Sequence, residues 1–257
     1  MNGTWTRTEI AGKPADVYDP TAGTRPRFGI LYLHGASLET LVGRPLFSRL
    51  FDELRLGCVC PHGDYSWWCD RTWHGFDQRI TAEKYLLNSV MPFFRERWGL
   101  APPAIGLLGY SMGGQGGLRL AFKHPETFPA VAAFSSAIDY YERYDAPPKP
   151  DGTRWPSSVA VTEMYDSKEQ CRQDTAPMHV HPSRFPPHIF FCIDPDDRDW
   201  FRGNDRLHEK LNALGVPHEI DFQTRAGGHS WDYVYHMADR AVRFLNSGLE
   251  QESRRLL

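Results

Sequence analysis

The sequence predicts an α/β fold, a mainly parallel central sheet with helices on both faces. Three observations lead there. Short apolar runs recur along the chain and are continuous rather than alternating, the pattern of strands covered on both sides. Helical stretches fall between them, and strand–helix alternation builds parallel sheets. A glycine-rich turn with a serine at its apex joins one such strand directly to a helix. A length of 257 residues fits one domain of this class. The expectation is a single domain over 1–257 with an insertion or cap-like loop over 137–187.

The strand candidates are FGILYLHG (28–35), LGCVCP (56–61), AIGLLG (104–109), AVAAFSS (130–136), HIFFCID (188–194) and HEIDFQT (218–224). TWTRTEI and ADVYD near the start add antiparallel edge strands. Residues 80–98 read as a helix, with Ile80, Leu87, Met91, Phe94 and Trp98 near one face. Pro92 should kink or restart it, because proline lacks the N–H and crowds the preceding turn. NDRLHEKLNALG (204–215) sets Leu207, Leu211 and Leu214 on one stripe, with Asn204 as N-cap and Gly215 as the stop. Residues 232–247 read as a last helix. Residues 137–187 hold eight prolines, too many for regular packing, apart from a short helix within 159–175. An excursion of that length inside a domain is usually functional.

Charge and composition exclude several classes. A net charge of −3 leaves no broad basic field for nucleic acid or anionic lipid. The longest apolar runs fall far short of the roughly 20 residues that span a membrane. The first residues lack the sections of a signal peptide, so the expected location is the cytoplasm. Five cysteines are too few and too scattered for a disulfide framework and read as buried apolar residues.

The chemistry concentrates in AIGLLGYSMGGQGG. Gly109-Tyr110-Ser111-Met112-Gly113 is a G-x-S-x-G after a strand and before a helix, the context that lifts a serine hydroxyl from a sheet edge on a sharp turn. A serine needs a base. Of 11 histidines, His229 lies in RAGGHSWDYV, in a glycine loop between the last strand and the last helix. The histidine needs an acid, which in such folds falls between serine and histidine in chain order. IDPDDRDWF (193–201) supplies four aspartates there. Asp194 ends the strand, and the loop beyond it favours Asp197, with Asp196 and Asp199 still open. The others read as turn formers, helix-end charges or ligands of a cation. The backbone N–H of Met112 and that of Ala36, in LHGAS after the first parallel strand, are the candidate oxyanion donors. Gly35 stands second to Ala36, and His34 reads as structural.

These motifs resemble the α/β-hydrolases, and within them the esterase family that includes esterase D (S-formylglutathione hydrolase), tributyrin esterases, feruloyl esterases and mycolyl transferases. GYSMGGQGG resembles that family's serine turn, GGHSWDY its histidine loop and LHG its oxyanion strand. The departure is the acid loop, where relatives often carry Gly-x-x-Asp and this chain has Asp194-Pro-Asp-Asp197. The resemblance implies acyl transfer to water through a serine acyl-enzyme, with no metal and no organic cofactor, on a small-molecule ester.

DYSWWCDRTWHGFD (64–77) is a second candidate feature. Trp67 and Trp68 form either a packed floor or an aromatic wall for substrate, with Arg71 for an anionic part and Trp231 shaping the same pocket. The wall would favour a carbohydrate-linked ester, feruloyl or acetyl. A serine peptidase, an acyltransferase and a hydrolase-fold scaffold without chemistry rank below. Oligomeric state is left open, a homo-oligomer included.

Overall fold

The computed structural model describes residues 3–21 and 25–255. Eight strands, β1 (Thr4–Ile10), β2 (Lys13–Asp19), β3 (Phe28–Leu33), β4 (Leu56–Pro61), β5 (Ile105–Tyr110), β6 (Ala130–Phe134), β7 (His188–Cys192) and β8 (Glu219–Asp221), form one sheet. Their order across it is β1-β2-β4-β3-β5-β6-β7-β8. β1–β2 and β2–β4 pair antiparallel, and every later pair is parallel. β3, β4, β5 and β6 are buried along their whole length, as their continuous apolar runs require.

The helices are α1 (Pro45–Leu54), α2 (Ala82–Tyr85), α3 (Met91–Trp98), α4 (Met112–Lys123), α5 (Pro156–Met164), α6 (Lys168–Arg172), α7 (Phe201–Ala213) and α8 (Trp231–Arg255). Successive strand residues point to opposite faces, so the sheet divides the interior into two cores. Leu31, Leu107, Val131 and Phe191 share one core with α3 and α4. Ile30, Leu108, Ala132 and Phe190 share the other with α1 and α8. Among the described residues no helix is long and apolar enough to cross a membrane.

Pro92 stands in the first turn of α3, where α-helical winding restarts. α2 and α3 are joined by a π-helical segment, Leu86–Val90, closed by the Met91 N–H on the Leu86 carbonyl. The wider turn relieves the ladder where the proline has no N–H and its ring would press on the carbonyl four residues back. Asn204 is not an N-cap. α7 begins three residues earlier, where the Asp197 carboxylate accepts the Trp200 N–H at 3.3 Å. Asn204 lies buried in the first turns, and its Nδ2 donates to the carbonyls of Ser136 (2.7 Å) and Trp200 (2.9 Å). Gly215 does end the helix region, at φ +67°.

Between β6 and β7 the chain forms a 3-10 turn (Tyr140–Asp145), α5, α6 and a second 3-10 turn (Ala176–His179). A buried charge network ties this segment to the sheet's helices. Arg119 of α4 is 1% exposed and pairs with Glu83 of α2 and, at 2.5 Å, with Asp174. Lys123 and His124 complete the set around Glu83, at 2.7 and 3.0 Å.

Candidate active site

Ser111 stands at the carboxyl end of β5, where parallel sheets bind ligands. Its backbone is left-handed, φ +56° and ψ −114°, which costs a non-glycine residue about 1–3 kcal/mol. The surroundings enforce it. A Cβ on Gly109 would strike the Gly113 carbonyl, and one on Gly113 would strike the Leu33 carbonyl, so strand, turn and helix close only with glycine at both places. The Ser111 N–H donates to the Phe134 carbonyl (3.0 Å), and its own carbonyl accepts from Ala137 (3.0 Å) and Gln115 (3.1 Å).

His229 comes to this serine from the loop before α8. Its Nε2 is 3.0 Å from Ser111 Oγ and its Nδ1 is 2.6 Å from Asp197 Oδ2. The Asp197 side chain is 1% exposed and the His229 side chain 31%, so the pair is sheltered on the acid side and open on the serine side. The Tyr110 ring stacks on the imidazole at 5.2 Å. Burial, then the charges of Asp197 and Glu39, raise the Tyr110 pKa and keep the phenol neutral.

The four aspartates have four different partners. Asp197 meets His229. Asp194, fully buried, accepts the N–H groups of Ala226 (2.7 Å) and Gly228 (2.9 Å) with Oδ2 and that of Asp196 (2.8 Å) with Oδ1. Burial alone would raise its pKa, but these N–H groups and the Arg225 charge carry it below the ordinary value. Asp196 pairs with Arg225 at the surface, and Asp199 faces Arg143 at 3.8 Å. Sequence reasoning missed Asp194 as the anchor of the histidine loop. An aspartate closing a buried strand is the one signal that could have found it.

The turn after β3 lies against the serine. A Cβ on Gly35 would stand 3.2 Å from Ser111 Cβ. Among the described residues neither the Ala36 N–H nor the Met112 N–H donates a hydrogen bond.

The tryptophan loop does not form an open wall. Trp67 and Trp68 are 2% and 0% exposed. Trp67 stacks on Tyr140 at 4.6 Å and donates from Nε1 to the Ser157 carbonyl at 3.1 Å. Trp68 donates to the His34 carbonyl at 3.1 Å. Their polar edges find buried carbonyls, which makes packing the stable solution. Arg71 is exposed, 5.4 Å from the Tyr165 ring. Trp231 is half-buried: its Nε1 donates to Glu39 at 2.7 Å, Arg44 lies 3.8 Å over its ring, and Tyr110 is 5.3 Å away.

A sheet of this order with serine on the turn after β5 is the architecture of the α/β-hydrolases. Solved structures bear that out. A fluorophosphonate-binding serine hydrolase of Staphylococcus aureus superimposes with TM-score 0.76 at 16% identity, covering 96% of this chain and 99% of that one. An S-formylglutathione hydrolase from Agrobacterium tumefaciens gives 0.74 at 17%, covering 96% and 94%. A ferulic acid esterase gives 0.69 at 16%, covering 96% and 98%. Likeness at these identities establishes the fold. No curated protein matches the chain closely enough to count as a relative. The sequence of residues 59–239 matches the family described as "Putative esterase". The chain belongs to that esterase family.

Proposed function

We propose that the protein hydrolyses a small-molecule carboxylic ester or thioester through a Ser111–His229–Asp197 triad and a covalent acyl-enzyme. The observation that carries this reading is the His229 imidazole, 2.6 Å from Asp197 on one side and 3.0 Å from Ser111 Oγ on the other. Asp197 accepts from Nδ1–H, which leaves Nε2 as the base.

Ser111 Oγ bonds to the acyl carbon and gives its proton to Nε2, and the carbonyl oxygen takes the negative charge. The N–H groups of Met112 and Ala36 receive that charge. The carbonyl re-forms, the bond to the leaving oxygen or sulfur breaks, and Nε2 returns the proton to the leaving group. Water then attacks the acyl-enzyme in the same manner, and Ser111 is released with the free acid. These steps use no metal and no organic cofactor. The 137–187 segment walls the same edge: it rises from β6 beside Ser111, where the Ala137 N–H holds the Ser111 carbonyl. A sugar ester rested on Trp67 and Trp68 as an aromatic wall, and with both buried nothing favours it over a simple ester.

The test is p-nitrophenyl acetate and thioester hydrolysis by the parent protein and by Ser111→Ala. A fall in kcat on the order of 10⁶ is expected. A fall of less than about tenfold would remove Ser111 as the nucleophile.

A further inference from the structure

The peptide between Gly35 and Ala36 carries two opposed groups. Its N–H belongs to Ala36, assigned above as an oxyanion donor, and its C=O belongs to Gly35. In a trans peptide they point in opposite directions, so whatever holds the carbonyl aims the N–H. The Gly35 carbonyl is held twice. The Leu38 N–H reaches it at 3.0 Å, and His34 Nδ1 at 2.8 Å.

A carbonyl only accepts, so Nδ1 carries a proton. Across the ring, Nε2 lies 3.0 Å from the Gly63 N–H, which only donates, so Nε2 carries the lone pair. The two bonds select one neutral tautomer. The environment agrees: His34 is 1% exposed, and burial pulls its pKa down to about 4 against the Gly35 carbonyl bond, which favours the charged form. The residue is gripped from outside as well. Its own carbonyl accepts from Trp68 Nε1 at 3.1 Å, and the indole stands edge-on to the imidazole at 4.9 Å.

We propose that His34 is a positioning residue for ester hydrolysis: donating from Nδ1 to the Gly35 carbonyl, it aims and polarises the Ala36 N–H toward the oxygen that turns negative on Ser111. The inference rests on the reading of Ala36 as an oxyanion donor. A hydrogen bond at a peptide's carbonyl strengthens the donor at its other end. A donor fixed in place before reaction costs no reorganisation when charge develops. The contribution therefore belongs to the transition state, and His34 never touches substrate. Trp68 extends the same support outward, which gives the buried tryptophan loop a part in the chemistry without a place in the pocket.

The experiment compares His34→Ala, His34→Asn and His34→Gln in the full chain, with Ser111→Ala alongside. The readouts are p-nitrophenyl acetate kinetics and inhibition by an aryl trifluoromethyl ketone, whose adduct with serine is tetrahedral and anionic. Asn places its amide NH₂ near the position of Nδ1, whereas Gln reaches toward that of Nε2. His34→Ala and His34→Gln should lose about 30- to 300-fold in kcat with KM changed less than about threefold, and ketone affinity should fall in parallel. His34→Asn should recover at least about tenfold of that loss. If His34→Ala does not fold, the Asn and Gln variants decide alone. Equal kcat in those two, or a folded Ala variant within about threefold of the parent while Ser111→Ala is inactive, would reduce His34 to packing. An active Ser111→Ala would instead overturn the triad reading, and this inference with it.

Discussion

Removing the Asp194 carboxylate should release the histidine loop without touching the histidine. The carboxylate holds the loop by the N–H groups of Ala226 and Gly228, at 2.7 and 2.9 Å. Both lie within three residues of His229. Hydrogen bonds to a charged group contribute about 1.5–3 kcal/mol each, so the pair holds the loop by about 3–6 kcal/mol. Asp194→Ala loses all of it. Asp194→Asn keeps one oxygen as a neutral acceptor, roughly half as strong. If the loss appears as a smaller population of the aligned loop, then at 1.36 kcal/mol per decade Asp194→Ala should lower kcat/KM by about 10²-fold or more, and Asp194→Asn by about tenfold. The assay is p-nitrophenyl acetate turnover beside thermal unfolding of the same samples. An Asp194→Ala variant with turnover and melting temperature near those of the parent would refute the argument. Loss in Asp194→Ala together with full activity in Asp197→Ala would show that Asp194 itself is the triad acid.

The other aspartates give a sharper contrast. Asp197→Ala should lower kcat by about 10⁴-fold, whereas Asp196→Ala and Asp199→Ala, at surface pairs, should stay within about twofold; turnover measured on the three variants decides. The Arg119 network should make the fold acid-sensitive. Burial alone would raise the pKa values of Glu83 and Asp174, but their hydrogen bonds and the Arg119 charge carry both below ordinary values, Asp174 to about 2. Depressed carboxyl pKa values mean stability that is complete above about pH 4.5 and is lost as pH falls through the folded values. Arg119→Met removes the cation shared by two buried carboxylates, leaving Glu83 with Lys123 and His124 and Asp174 with His179 and Tyr165, and should cost up to about 3 kcal/mol at neutral pH. It should also move the acid unfolding midpoint, and an unmoved midpoint in a circular dichroism titration would refute this account.

What could be read from the sequence is what depends on near neighbours. β3 to β6 announced themselves because strands buried on both faces need unbroken apolar runs. Ser111 was legible because only glycine at 109 and 113 permits its turn. The limits of β7 and β8 were not. The HIFFCID run suggests a strand to Asp194, but the ladder stops at Cys192, because Asp194 turns out of register to reach the histidine loop. β8 lasts three residues rather than seven, because the Asp221 side chain accepts the N–H groups of Gln223 and Thr224 and curls the chain. The Asn204 cap failed, and the choice between floor and wall for the tryptophans stayed open, for a common reason. Their decisive partners, Ser136, His34 and Ser157, lie 34 to 90 positions away, and no local pattern carries such a distance. Asp197 stood out among four by its place on the loop, but what distinguishes it physically is its 2.6 Å contact with His229, a partner 32 positions away that spacing does not report.

The π-helical segment before Pro92 sets a phase. It holds one residue more than plain α-helical winding would use for the same advance. Each helical residue turns the chain by about 100°. Deleting a single residue from 86–90 would let α2 run smoothly into α3, and everything downstream would rotate by that angle. Phe94, which fills the space over Gly29, and Trp98, which lies on Gly57, would swing off the sheet together. The irregular turn thus works as a spacer that keeps two aromatic rings in step with two glycines on neighbouring strands. A shorter, more regular helix would be the worse fit.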